Sequence, residues 1–293
     1  MTIHNLGSIN IDLVYRVPNI VNPGETILSH DISRGLGGKG ANTSIAIAKS
    51  GVVPKHYGAI GRDDDWVQQE LADYGVDCEG VLQLSDPTGH AIIQVGDDGE
   101  NAIILLKGAN WAFDAHVADR MVARAKDGDI LVLQNETAHV VHAAQAAKQA
   151  GLFVAYAAAP FDPDATKAIL GHVDLLALNE IEAAQLVDAT HTRLEDMAPK
   201  MVLVTKGPAG AVLYLKGQPA MSQPAFKIDD VIDTTAAGDT FFGYFLAGLE
   251  RGNAIPDALK TASAAAALTV TKVGAADAIP TMAEVKAFMG NAA

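Results

Sequence analysis

The chain has 293 residues, 49% of them hydrophobic and 19% charged, which suits one large α/β domain and argues against broad disorder. With 21 Lys and Arg against 35 Asp and Glu the formal net charge is -14. Such a surface repels phosphate backbones and argues against nucleic-acid binding, so a phosphorylated small ligand has to be held by local devices such as helix N-termini or a metal.

In chain order, "TIHNLGSINID" opens as a buried strand running into a turn, followed by two alternating stretches within "LVYRVPNIVNPGETILSHDIS". "GGKGANTSIAIAKSG" reads as a glycine turn and a helix closed by Gly51. "KHYGAIG" is strand-like, "DDWVQQELADYG" is a short helix ended by Gly75, and "TGHAIIQVGDDGENAIILL" is a hairpin. From about residue 114 helical and apolar strand segments alternate through "DILVLQ", "LFVAYA", "VDLLALN" and "MVLVT". This rhythm predicts a mostly parallel central sheet covered by helices on both faces. Two further helices are expected from about Ala237 to Leu249 and from Pro256 to about Thr269, then a short terminal one. The early β-rich pieces, about 13–33 and 88–107, alternate apolar with polar residues and predict a small sheet laid over a single domain spanning 1–293. Cys78 is the only cysteine, so no intrachain disulfide forms. "MTIHNLGSIN" lacks a basic and then an apolar signal region, and the apolar runs are too short to span a bilayer. The expectation is a cytoplasmic protein away from membranes.

"DTTAAGDTFFG", residues 233 to 243, sets small residues before one acid at the start of an apolar helix. Small residues let an anion approach the free N–H groups of a helix N-terminus, where the macrodipole adds positive charge. An acid there, Asp239, makes chemical sense if it takes the proton of a hydroxyl that then attacks a phosphoryl group. Alone, the stretch reads more simply as an acid in a helix first turn.

Other segments change that weighting: "GSINID" near the start, "VNPGET", "GGKGAN" at 37–42, "KGAN" at 107–110, "NEIE" at 179–182, "VTKGPAG" at 204–210 and "TVTKVGA". Together and in this order they resemble the ribokinase (PfkB) family of carbohydrate kinases over nearly the whole chain. The resemblance implies a three-layer α/β/α sandwich with a small β-sheet lid. It implies an ATP-dependent sugar kinase that uses Mg²⁺, with a pentose such as ribose as the first candidate acceptor.

Residue by residue, the resemblance makes Asp239 the catalytic base and the amides of Ala236, Ala237 and Gly238 the anion hole. Asn10, Asp12, Gly38, Lys39, Asn42 and Glu136 would line the sugar site. Asn179 and Glu182 would order water around Mg²⁺ on the nucleotide phosphates, although Asn179 also suits a plain helix N-cap. Thr205 and Gly207, with Gly238, would approach the nucleotide. A monovalent cation such as K⁺ would sit at Asp233, Thr235, Thr269, Lys272 and Gly274, largely on backbone carbonyls. Ala157 stands where ribokinases carry Asn, Ser263 stands where a His is common, and "DATHTRLEDMAPKM" is shorter than usual, as one truncated surface helix.

Gly35, Gly37 and Gly40 mimic the dinucleotide G-x-G-x-x-G, but no buried strand precedes them. "GGKG" mimics a phosphate loop, but Gly40 follows Lys39 where Ser or Thr is required. Glu136, His139 and His142, three apart on an expected helix, read as a solvated face and not a metal site. Trp66, Trp111 and the Phe241–Phe242 pair read as packing residues. The rivals are a sugar-phosphate or nucleoside kinase of the same family, and a sugar-binding or regulatory homologue without catalysis. An apolar lid sheet needs cover, which predicts a homodimer through the lids.

Overall fold

The computed structural model describes residues 1–291. Its main sheet has nine strands in the order β13-β12-β11-β10-β9-β8-β1-β4-β5. These are β1 (Ile3–Leu6), β4 (Lys55–Gly61), β5 (Asp77–Leu84), β8 (Ile130–Gln134), β9 (Phe153–Ala157), β10 (Leu175–Asn179), β11 (Met201–Thr205), β12 (Ala211–Leu215) and β13 (Met221–Gln223). All neighbours pair in parallel except β12 and β13, which close one edge antiparallel. The covered strands are nearly continuous apolar runs, as burial on both faces demands.

Helices cover both faces. On one lie α1 (Lys39–Lys49), α2 (Asp65–Asp73), α7 (Ala237–Glu250), α8 (Ile255–Thr269) and α9 (Met282–Asn291), packed on Ile3, Ile45, Phe245 and Leu246. On the other lie α3 (His116–Arg124), α4 (Val140–Gln149), α5 (Pro163–Ile169) and α6 (Glu180–Thr190), packed on Leu6, Leu133, Met121 and Ala144. Side-chain alternation along β1 sends Ile3 to the first cluster and Leu6 to the second. Gly243 of α7 lies against Ala46 of α1, and Gly248 of α7 against Ala258 of α8, with no room for a Cβ at either glycine, so these three helices approach closely.

The lid is a separate four-stranded sheet, β3-β2-β6-β7, made of β2 (Asn10–Val17), β3 (Asp31–Gly37), β6 (Gly89–Gly96) and β7 (Asn101–Leu106). The first lid piece begins earlier and ends later than the alternation suggests, at residues 10 and 37, with 18–30 irregular, while the second falls within the expected 88–107. Two expectations are corrected. After α6 only a three-residue 3-10 turn, Leu194–Asp196, replaces the expected surface helix. Trp111 is 43% exposed with the Lys107 ammonium over its ring, so it is no core residue, whereas Phe241 and Phe242 are buried. Trp66 is half-buried under the Arg34 guanidinium.

Candidate active site

Strand order reverses at β1, which lies between β4 and β8. In open parallel sheets such a reversal splits the connections to opposite faces and leaves a crevice at the carboxyl ends of the strands. The carboxyl end of β1 leads to Gly7 and Ser8, that of β8 to Glu136, that of β10 to Asn179 and that of β11 to Lys206 and Gly207. The lid strand β2 starts two residues beyond Ser8, at Asn10, so the lid springs from the crevice rim.

Asp239 sits half-buried in the first turn of α7, where Asn42 of α1 donates from Nδ2 to its Oδ2 at 3.0 Å. Its Oδ1 receives no hydrogen bond among the described residues. Burial raises its pKa, and the Lys39 charge and the Asn42 hydrogen bond oppose that rise. Reciprocally, Asp239 and then Glu136 and Glu182 hold Lys39 above the usual lysine range against burial. No side chain caps α7, and Ala236 enters it left-handed at φ 59°. The Ala237 amide reaches Thr234 O at 3.3 Å, while that of exposed Gly238 finds no acceptor among the described residues. Of the amides expected to hold an anion, that of Ala237 is thus taken by the turn and that of Gly238 is left as a donor at the helix mouth.

Among the residues expected to line a sugar site, Glu136 is not on a helix. It lies in the turn before α4, which starts at Val140 after a left-handed His139. His142 instead bonds Asp119 at 2.8 Å, and His139 bonds Phe113 O at 3.1 Å, so the three residues form no cluster. Glu136 Oε2 accepts from Ser8 Oγ at 2.5 Å and from the Lys39 amide at 3.1 Å. Asp12 faces the same space, and burial together with the Glu136 charge pushes its pKa up to about 6. Its neighbours on that lid face are Gly35 and Ala91, and those of Asn10 are Gly37 and Gly89. A Cβ on Gly37 would come within 2.2 Å of the Asp12 carboxylate. Small residues thus clear the space around both polar side chains.

Two contributors escaped the sequence reading as individual residues. Ser8 bridges Glu136 and the Gly40 amide, at 2.5 and 3.1 Å. Asn110 accepts from Ile9 N at 2.9 Å and donates to Ile9 O at 3.1 Å and Asn10 Oδ1 at 2.8 Å, which fixes the Asn10 amide orientation. Both stand in quoted motifs, "GSINID" and "KGAN", and that spacing was the only available signal.

On the nucleotide side, Asn179 and Glu182 form a reciprocal capping box on α6, with Oδ1 accepting at 2.9 Å and Oε2 at 2.8 Å. Glu182 Oε1 keeps its lone pairs, and burial raises the carboxyl pKa. Among the described residues no group of three or more His, Cys, Asp or Glu is placed to hold a metal directly. A lone carboxylate with one free oxygen fits a hydrated Mg²⁺ carried by phosphates. Thr205 ends β11 and Gly207 follows at φ 51° with open space around it. Ala157 ends β9, and Ser263 is buried with its hydroxyl on Pro224 O at 3.2 Å.

Of the five residues expected around a monovalent cation, three converge. Asp233 Oδ1 accepts from Thr235 N and Oγ1, at 2.9 and 2.6 Å, and Oδ2 from Gly274 N at 3.0 Å. The Thr269 hydroxyl turns into α8 and to Thr240, and Lys272 pairs with Glu284 at 3.1 Å. Hollows of about 490 Å³ and 300 Å³ border α5 and α6, and Asp12, Lys39 and Asp239 line neither.

The family model for "pfkB family carbohydrate kinase" matches residues 3–282. The chain belongs to the pfkB family of carbohydrate kinases. Among its relatives is a ribokinase of Haemophilus influenzae, 34% identical over 306 residues, covering 99% of both chains. A solved ribokinase of Cryptococcus neoformans in complex with ADP superposes with a TM-score of 0.85 at 33% identity, over 98% of this chain and 99% of that one. An Arabidopsis thaliana ribokinase complexed with ribose and ATP gives 0.86 at 29% identity, over 98% of each chain. As a pfkB carbohydrate kinase, the protein combines a mostly parallel central sheet with a separate small sheet, as the superposed ribokinases do over nearly their whole length. No helix among the described residues is long and apolar enough to cross a membrane.

Proposed function

We propose that the protein phosphorylates a pentose, ribose first among candidates, at its hydroxymethyl oxygen with ATP. The carrying observation is Asp239, held through Oδ2 by Asn42 at the α7 N-terminus, in one electrostatic group with Lys39 and Glu136, the latter acting in turn on Asp12. Asp12 and Asn10 bind vicinal hydroxyls, and the buried, unpartnered Asn42 Oδ1 accepts another hydroxyl proton. The attacking hydroxyl passes its proton to Asp239 Oδ1 as its oxygen bonds the γ-phosphorus and the bond to the β-phosphate oxygen breaks. Lys39 and the free Gly238 amide offset the charge on the transferred group. Mg²⁺ on the nucleotide would neutralise phosphate charge, its water shell held by Glu182 beside Asn179, with Thr205 and Gly207 flanking the nucleotide. A K⁺-type cation would use backbone carbonyls of the loops that Asp233 ties together. The lid excludes water when it closes.

A sugar-phosphate acceptor fits less well. Arg34 pairs with Leu13, so its side chain leaves the sheet face that carries Asp12, and it stacks at 4.2 Å on Trp66. Lys39 is then the one cation converging on the sugar rim among the described residues. A coupled ADP-release assay across ribose, deoxyribose, hexoses, fructose 1-phosphate and nucleosides tests the reading. Preference for a nucleoside or a sugar phosphate overturns the pentose assignment, and no ADP release with any acceptor favours a non-catalytic homologue. The acidic surface and buried Cys78 thiol suit the cytoplasm.

Acceptor capture should depend on pH. Burial and then the Glu136 charge push the Asp12 pKa up to about 6, and its charged form is the hydroxyl acceptor. The raised pKa means that this form is lost as pH falls through 6. The expected result is a sugar kcat/KM that declines below about pH 6, with that acid limb altered in Asp12→Asn. A flat profile from pH 7 to 5 contradicts it.

The lid also supports a homodimer. Ile103 and Leu105 are 53% and 58% exposed and stand on the face of Asp12, opposite Ile93 and Ala91. A second lid would cover them. Size-exclusion chromatography should read a dimer, and Leu105→Glu should shift it to monomer; a monomeric wild-type protein at micromolar concentration counts against the arrangement.

A further inference from the structure

Directly behind the sugar site runs a chain of buried polar side chains that the reaction itself does not use. Asn5 of β1, Ser44 of α1, His56 of β4 and Gln134 of β8 are all fully buried. Gln134 Nε2 donates to Asn5 Oδ1 at 3.0 Å. Asn5 Nδ2 donates to Gly40 O and to Ser44 Oγ, both at 2.8 Å. Ser44 Oγ lies 2.9 Å from His56 Nδ1, and His56 Nε2 lies 3.1 Å from Gly7 O.

The direction of every proton follows from chemistry. Gly7 O only accepts, so His56 Nε2 carries the hydrogen. Burial lowers the His56 pKa to about 4, so the ring is neutral at working pH and Nδ1 accepts. Ser44 must then donate to it, and its oxygen is free to accept from Asn5. The two ends of the relay are the backbone carbonyls of Gly7 and Gly40. These belong to the two segments that touch beneath the sugar: Ser8 and Lys39 meet on Glu136 Oε2, and Ala41 N donates to Ser8 O at 2.8 Å.

We propose that His56 is a positioning residue for the sugar site: through Gly7 it sets the turn that carries Ser8 and so fixes Glu136 and the Lys39 amide. The inference rests on the sugar-site reading above, and it predicts that the relay acts on the acceptor and not on the nucleotide.

The test compares His56→Phe, which fills the space without a donor, with His56→Gln, whose amide nitrogen can reach Gly7 O. His56→Phe should raise the sugar KM about tenfold, the worth of one hydrogen bond. kcat and the nucleotide KM should move less than about twofold, since the relay ends on the sugar-side backbone. His56→Gln should restore most of the loss. An unchanged sugar KM, an equal rise in both KM values, or a His56→Gln variant as impaired as His56→Phe overturns the proposal. If His56→Phe does not fold, Ser44→Ala breaks the relay one link earlier and is read by the same criteria. Amide hydrogen exchange at Gly40 and Ala41 provides a readout independent of substrate. Faster exchange there in His56→Phe, set against unchanged exchange in α6, supports the relay even if the wild-type protein phosphorylates no pentose, a result that would overturn the functional reading alone. Unaltered exchange at both amides overturns the relay.

Discussion

Asp239→Asn should abolish nearly all phosphorylation, a loss of about a hundred- to ten-thousand-fold in kcat, the range for removing a positioned general base. The amide is almost isosteric and leaves the amides at the α7 mouth in place. Asn42 would still find an oxygen at the position where it now meets Oδ2 at 3.0 Å. The fold and nucleotide affinity should therefore survive, because no nucleotide-side residue bonds Asp239 directly. Lys39 would lose the largest of the charges that hold its pKa up. Initial rates with a pentose, together with calorimetric ADP binding, separate the two effects. Turnover near the wild-type value removes Asp239 from the role of base. Loss of ADP binding in parallel with turnover would point to a collapsed helix terminus instead.

Gly40→Ala should disrupt the acceptor side of the site with a single methyl. A Cβ there would lie 2.3 Å from Ser8 N and 2.5 Å from Gly7 C, both backbone atoms. Neither can rotate away as a side-chain tip would. The β1–β2 turn and the α1 N-terminus must separate, and with them Ser8, the Lys39 amide and Glu136. Overpacking of this kind costs about 1–3 kcal/mol of stability. Displacing the acceptor groups by about 1 Å is worth roughly a hundredfold in sugar kcat/KM. Urea unfolding and initial-rate kinetics measure the two parts. A Gly40→Ala protein with wild-type sugar kcat/KM would show that this contact does not set the site.

Much of the fold is legible in the one-dimensional pattern. The apolar runs of β8 to β11 and the alternation with helices state a covered parallel sheet, and the hairpin of β6 and β7 is marked by "GDDGEN". Helix α1 begins at Lys39 and is closed through Gly51 at φ 95°, where the glycine pattern places it. What misled were local patterns with no tertiary support. Glu136, His139 and His142 have helical spacing, yet a left-handed His139 starts the helix after Glu136 and frees that carboxylate for Ser8 and Lys39. "DATHTRLEDMAPKM" has helix-forming residues but too few apolar ones to cover the sheet. The buried polar residues of β1 and α1 carry no periodic signal at all, since a polar side chain in a core strand is stable only through partners far along the chain.

By itself the sequence determined which groups are available: one acid at a helix mouth after small residues, one lysine after a glycine pair, an Asn and an Asp at the start of a lid strand, and the ordered motifs that assign the family. Those properties are local, because backbone torsions, capping and hydrophobic periodicity act over a few residues. The tertiary structure alone decided that residues 8, 39 and 136 meet at one carboxylate oxygen, that Asn42 and Asp239 touch across 197 positions, and that Arg34 leaves the sheet face of Asp12 for Trp66. Such meetings depend on strand order and close glycine contacts, which bring distant backbone within hydrogen-bond reach only after the sheet and both helix layers have packed.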